Sequence, residues 1–276
     1  MKRSIVLIHG AWLAPRSWEN FEAYFKEKAY DVFVPEWPRK ADGVEAQRRD
    51  PSALAGLGIK EIVDHLEGYV RQIPEPPVIV GHSFGGLFTL MLLDRGVGAA
   101  GVAMDPAPPK GILTLPPSQL KSASPALAHP STRNTTVTLT LDRFTYGFVN
   151  TFTDEDARSA YDRYAVPETG RIFYQAAFAN FNPHAENRVD YAKADRAPLL
   201  ITAGEKDHTV PASVSRSIYK KYAKSPARTD LLELSGRPHL LMAGEGWEEV
   251  AAKVHVWIES VYATAEAKPG AGAAVS

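Results

Sequence analysis

Between residues 77 and 95 a short β-branched run turns into an apolar helical stretch through Gly81-His82-Ser83-Phe84-Gly85, and few folds accommodate such a junction. Pro77–Val80 is continuous and apolar, as a strand buried on both faces must be. Phe84–Arg95 follows it directly and reads as a helix. The turn between them is tight, so small residues must flank the serine. Gly81 and Gly85 meet that need, and Gly86 lets the helix pack close to the sheet. The Ser83 hydroxyl is then lifted above the strand ends, over a helix N-terminus, as a G-x-S-x-G nucleophile elbow requires. The plainer alternative is a glycine-rich turn with an incidental serine. The strand before it and the helix after it argue against that alternative.

The rest of the chain repeats the rhythm. Ser4–Ile8, Asp31–Val34, Ala100–Met104, Leu199–Ala203 and Leu231–Leu234 read as further buried strands. Helical spacing runs through Ser17–Lys28, Leu54–Gln72, Ala212–Tyr222 and Trp247–Tyr262. Alternation of this kind predicts an α/β fold with a doubly wound, mostly parallel sheet of about six strands. Residues 106–197 break the rhythm, because they are far too long for a strand–helix connection. Prolines open this segment and aromatics fill it. It holds helical patterns at Asp154–Arg163, with Thr153 as N-cap, and at Tyr174–Phe181. The expected organisation is a core of residues 1–105 and 198–262, an inserted lid over 106–197, and a flexible tail over 263–276.

Bulk properties narrow the function. The 276 residues are 45% hydrophobic, enough for one large α/β core and too few for two independent enzyme domains. Lys plus Arg number 31 and Asp plus Glu 32, so no basic excess exists to neutralise phosphates, and a nucleic-acid partner is not expected. The absence of cysteine excludes disulfides and thiolate metal sites and fits a reducing compartment. The apolar run after Lys2 and Arg3 ends at His9-Gly10, too short for a signal peptide. No stretch approaches a membrane span, so the expectation is a cytoplasmic protein without a membrane partner.

A serine hydroxyl needs a base. Of the eight histidines, His239 stands out. It follows the last strand in the loop Ser235-Gly236-Arg237-Pro238-His239, and loops at strand carboxyl ends line the ligand crevice of open α/β sheets. His9 and His82 lie in strand-end motifs, where packing or backbone bonding is the simpler role. Asp207 leaves the strand Leu199–Ala203 through Gly204-Glu205-Lys206 and would orient the imidazolium. Glu205 and Asp105, at the end of another strand, compete with it. The oxyanion should be held by the N–H of Phe84 and by one from the loop after the first strand, Ala11 or alternatively Trp12.

These segments together resemble the α/β-hydrolase superfamily. Ile5 to Trp12 looks like its oxyanion segment, Val80 to Gly86 its nucleophile elbow, Gly204 to Pro211 its acid loop and Gly236 to His239 its histidine loop. The resemblance covers residues 4 to 262 apart from the lid. It points to the serine esterase and cofactor-free haloperoxidase-like branch. It implies the strand order 4-3-5-6-7-8 in the family's own naming, with its first two strands missing here. It also implies a reaction without cofactor or metal, through an acyl-enzyme on Ser83.

The expected substrate is a small, apolar carboxylic ester or lactone, with Trp12, Tyr146 and Phe178 among its contacts. Many lid aromatics could equally serve only to pack the lid. Perhydrolase or haloperoxidase chemistry and C–C bond hydrolysis would use the same three residues. A hormone-type receptor is the alternative of another class, disfavoured because Ser83, Asp207 and His239 are all present. A hydroxynitrile lyase is disfavoured because those relatives carry Thr and Lys where this chain has Ala11 or Trp12 and Gly236 or Arg237. Self-association as a homo-oligomer stays open.

Overall fold

The computed structural model describes residues 3–266. Six strands form one parallel sheet: β1 (Ser4–Ile8), β2 (Asp31–Phe33), β3 (Val78–His82), β4 (Ala100–Met104), β7 (Leu199–Gly204) and β8 (Thr229–Leu234). Their order across the sheet is β2-β1-β3-β4-β7-β8, the order that the resemblance implied. The β-branched runs at β1 and β3 are interior strands with both faces covered, and every residue of the central β3 and β4 is buried. Register is carried by pairs such as Leu7 with Val80 and Val80 with Val102.

Helices α1 (Glu19–Glu27), α2 (Val44–Arg49), α3 (Ile59–Val70) and α4 (Phe84–Asp94) lie between the first four strands, while α9 (Ala212–Tyr222) and α10 (Trp247–Glu266) follow β7 and β8. The helix expected from Leu54 begins only at Ile59, since a turn at residues 55–56 separates it from a short 3-10 segment at Ser52–Leu54. Helix α3 buries Ile59, Ile62, Val63, Leu66 and Val70, a stripe at helical spacing. Helix α4 is different: apart from Asp94 it is buried all round, because it lies behind the sheet centre and under the segment that covers it.

That segment, between β4 and β7, is largely helical. It contains α5 (Pro117–Leu127), α6 (Leu141–Phe148), α7 (Asp154–Tyr164) and α8 (Arg171–Ala177), with a two-stranded antiparallel pair of β5 (Thr136–Val137) and β6 (Glu168–Thr169). The Thr153 hydroxyl accepts the Asp156 N–H at 3.1 Å and caps α7, a contribution of about 1 kcal/mol. Helix α8 starts three residues before the predicted Tyr174 and ends at Ala177; the remainder, Ala179–Phe181, is a 3-10 turn. The last helix runs on to Glu266, so the first four residues of the expected tail are helical, and residues 267–276 lie outside the described residues. Among the described residues no helix is long and apolar enough to cross a membrane.

Candidate active site

The elbow forms where β3 passes into α4. Ser83 has φ +57°, a left-handed conformation that costs a non-glycine residue about 1–3 kcal/mol. The surroundings hold it there. Its N–H donates to the Met104 carbonyl at 2.9 Å, and its carbonyl accepts the N–H groups of Leu87 and Ala107. A Cβ on Gly81 would collide with the Gly85 carbonyl, and one on Gly85 with the Ile8 carbonyl. Trp12 (φ +61°) and Asp105 (φ +43°), at the ends of neighbouring strands, are strained in the same sense. Strain therefore gathers along the carboxyl edge of the sheet, as it does at functional sites.

His239 is delivered by the loop after β8 and is fully buried. Its Nδ1 lies 2.6 Å from Asp207 Oδ2. The other oxygen of Asp207 accepts the N–H groups of Thr209 and Val210, each at 2.7 Å. The carboxylate is thus fixed by the start of its own loop, with one oxygen left for the imidazole. His82, beside Ser83, donates from Nε2 to the His239 carbonyl at 2.8 Å and lies ring to ring with it at 4.5 Å. The histidine loop is therefore tied to the elbow by backbone. His239 Nε2 is buried without a hydrogen-bond partner, so no hydrogen bond joins it to Ser83 in this structure. Such contacts tighten only when substrate is bound in many hydrolases.

Asp105 does not contact the imidazole as the orienting acid. It takes the Thr202 hydroxyl at 2.7 Å and the Gly204 N–H at 3.1 Å and is hydrogen-bonded to Asp207. Burial, followed by the charge of Asp207, pushes its carboxyl well above the usual range. Burial also raises Asp207, to about 7, and lowers His239 to about 4. Both shifts oppose charge, so the imidazole is neutral at neutral pH, and the pair takes up its next proton around pH 7. Glu205, the other rival, points outward to Ser235 and the Gly236 N–H. The ligand-capable atoms of Asp105, Asp207 and His239 lie within 4.8 Å of one another, and this is the grouping among the described residues that could accept a metal ion. Each of the three is already engaged by its neighbour.

A cavity of about 280 Å³ opens over Ser83, at the small end of ligand sites. Ala11, Trp12 and Phe84 line it from the strand ends, and Phe148, Phe173 and Leu127 from the covering helices. No charged side chain lines it. The N–H groups of Ala11 and Phe84 donate to no protein acceptor among the described residues, so both are free for a ligand oxygen. Of the three expected substrate contacts, only Trp12 lines the cavity. Tyr146 faces away, against His208 at 4.6 Å and under the Lys121 ammonium. Phe178 is 56% exposed and stacks on Tyr174. The lining residues missed by sequence reasoning include several from Ala107 to Leu115, in the connection after β4, and several from Gln119 to Leu127 of α5, whose proline-rich start reads as loop.

The sequence profile described as the alpha/beta hydrolase family matches residues 5–253. No curated protein sequence matches. Among solved structures, a monoacylglycerol lipase of Paleococcus ferrophilus superposes with a TM-score of 0.65 at 18% identity, covering 94% of each chain. A pyrethroid hydrolase from Sphingobium faniae gives 0.67 at 16% identity, covering 96% of this chain and all of its own. Tomato methylketone synthase I, complexed with 2-tridecanone, gives 0.67 at 14%, covering 95% of this chain and 99% of its own. At these identities the likeness is one of fold.

Proposed function

We propose that this chain, which belongs to the alpha/beta hydrolase family, is a serine hydrolase that cleaves a small, uncharged carboxylic ester or lactone through an acyl-enzyme. The observation that carries the reading is Ser83, held in a strained elbow at the floor of an apolar, charge-free cavity, with two unpartnered N–H groups beside it. The Ser83 hydroxyl attacks the ester carbonyl, and its proton passes to His239 Nε2, while Nδ1 stays bonded to Asp207. The oxygen that gains charge sits between the N–H groups of Ala11 and Phe84. The alcohol leaves with the proton from His239. A water molecule then gives a proton to the same nitrogen and attacks the acyl carbonyl, and His239 returns that proton to the Ser83 oxygen as the acid departs.

The cavity also bears on substrate class. An acyl group ending in a carboxylate would have to be desolvated with no partner for its charge, a cost of several kcal/mol. Purified protein should therefore hydrolyse p-nitrophenyl esters of neutral aliphatic or aromatic acids at least about 100-fold better, in kcat/KM, than a hemisuccinate ester. A fluorophosphonate should label Ser83, and Ser83→Ala should lose both labelling and turnover while keeping the fold. Absence of hydrolysis across the panel, together with absence of labelling, refutes the reading. Adding peroxide or a diketone to the same assay separates peracid formation and C–C cleavage, which would use the same groups.

A further inference from the structure

His9 ends β1 with its side chain fully buried, and its two ring nitrogens both face acceptors. Nδ1 lies 2.8 Å from the carbonyl of Gly10, and Nε2 lies 2.7 Å from Glu36 Oε1. Glu36 is an anchored carboxylate. Gln47 Nε2 donates to its second oxygen at 2.7 Å, and the Trp37 N–H donates to the first at 3.1 Å. Burial works against its charge, yet His9, Lys40 and that N–H outweigh it and hold the carboxyl below the usual range. The Trp37 ring stacks on His9 at 4.8 Å and 19°. A backbone carbonyl can only accept, so the contact with Gly10 needs hydrogen on Nδ1.

We propose that His9 is a positioning residue for the oxyanion hole: its Nδ1–H tethers the Gly10 carbonyl and thereby aims the Ala11 N–H at the oxygen that becomes charged. The proposal rests on the reading of Ser83 as nucleophile and Ala11 as donor. Gly10 C=O and Ala11 N–H belong to one trans peptide, in which the two bonds point in opposite directions. Holding the oxygen toward His9 turns the hydrogen the other way, toward the cavity that Ala11 lines. Drawing electron density to the carbonyl oxygen also makes the N–H a better donor. Glu36, Gln47 and Trp37 extend the support outward from the loop to α2.

Two amide replacements separate the two ring nitrogens. The amide nitrogen of His9→Asn falls near the position of Nδ1 and can keep the bond to Gly10. That of His9→Gln falls near Nε2 and keeps only Glu36. On a p-nitrophenyl ester, His9→Asn should hold kcat within about threefold of wild type, whereas His9→Gln should lose about 100-fold with little change in KM, the scale of one lost oxyanion donor. Labelling of Ser83 by a fluorophosphonate should slow in parallel. Equal kcat in the two variants, whether unchanged or equally low, overturns the proposal. Should the variants not fold, wild type supplies the test. A 1H–15N spectrum of the histidine rings should show hydrogen on Nδ1 of His9, and a bare Nδ1 overturns the assignment. A wild-type protein that neither hydrolyses esters nor is labelled condemns the Ser83 reading itself, whereas an active wild type with indistinguishable variants condemns only the role of His9.

Discussion

Replacing Asp207 by asparagine should remove most turnover and at the same time stabilise the folded chain above neutral pH. Besides its contact with Asp105, the carboxylate has His239 Nδ1 at 2.6 Å on one oxygen and accepts the Thr209 and Val210 N–H groups at 2.7 Å on the other. An amide has one accepting oxygen. Two converging backbone donors claim it, so the NH₂ must face His239. The imidazole then presents a bare Nδ1 and carries its hydrogen on Nε2, the atom that has to accept from Ser83. Trapping the wrong tautomer costs on the order of 10⁴-fold in kcat in the serine-protease triad, and the same geometry sets the scale here. For stability, burial raises Asp207 from 3.8 to about 7, which corresponds to about 4 kcal/mol against the carboxylate. The folded value lies above the unfolded one. Stability from this group is thus full below about pH 4 and is lost as pH rises through 7. Asparagine carries no such loss, although the weakened bond with Asp105 offsets about 1 kcal/mol. Urea denaturation at pH 5 and pH 8.5 should show the variant gaining on wild type by about 2–3 kcal/mol between the two. A gap that stays constant refutes the titration argument. Turnover within tenfold of wild type refutes the role of Asp207 and passes it to Asp105.

Two further outcomes follow from the same geometry. The pH profile of kcat/KM should fall as pH drops through about 7, where the Asp207–His239 pair takes up a proton, and a profile flat from pH 5 to 8.5 contradicts that assignment. Gly85→Ala should destabilise the fold by about 4 kcal/mol or more, because its Cβ meets the Ile8 and His9 carbonyls, which are backbone and cannot swing aside. A melting temperature within a few degrees of wild type would show that the elbow tolerates expansion.

The sheet was legible because burial on both faces writes itself into sequence as unbroken apolar runs, most clearly at β1 and β3. Ser83, Asp207 and His239 each follow a strand within a few residues. The covering segment lacked that signal. Helix α5 begins at Pro116-Pro117, a dipeptide that reads as a loop although proline is well suited to the first turn of a helix, and it holds Pro125 inside. Aromatic spacing placed Tyr174 beside Phe178, where they do stack, but spacing alone says nothing about which side faces a cavity. Of the lid aromatics that could have met a substrate, Phe148, Phe173 and Phe181 line the cavity, whereas Tyr146 and Phe178 do not. Asp105 shows the limit most sharply. Chain order cannot rank two acids that end adjacent strands, β4 and β7. The ranking depends on where the imidazole arrives. His239 comes from β8, which pairs with β7 and not with β4, so the β7 acid meets the ring. The β4 acid is left buried, bonded to the Thr202 hydroxyl and the Gly204 N–H.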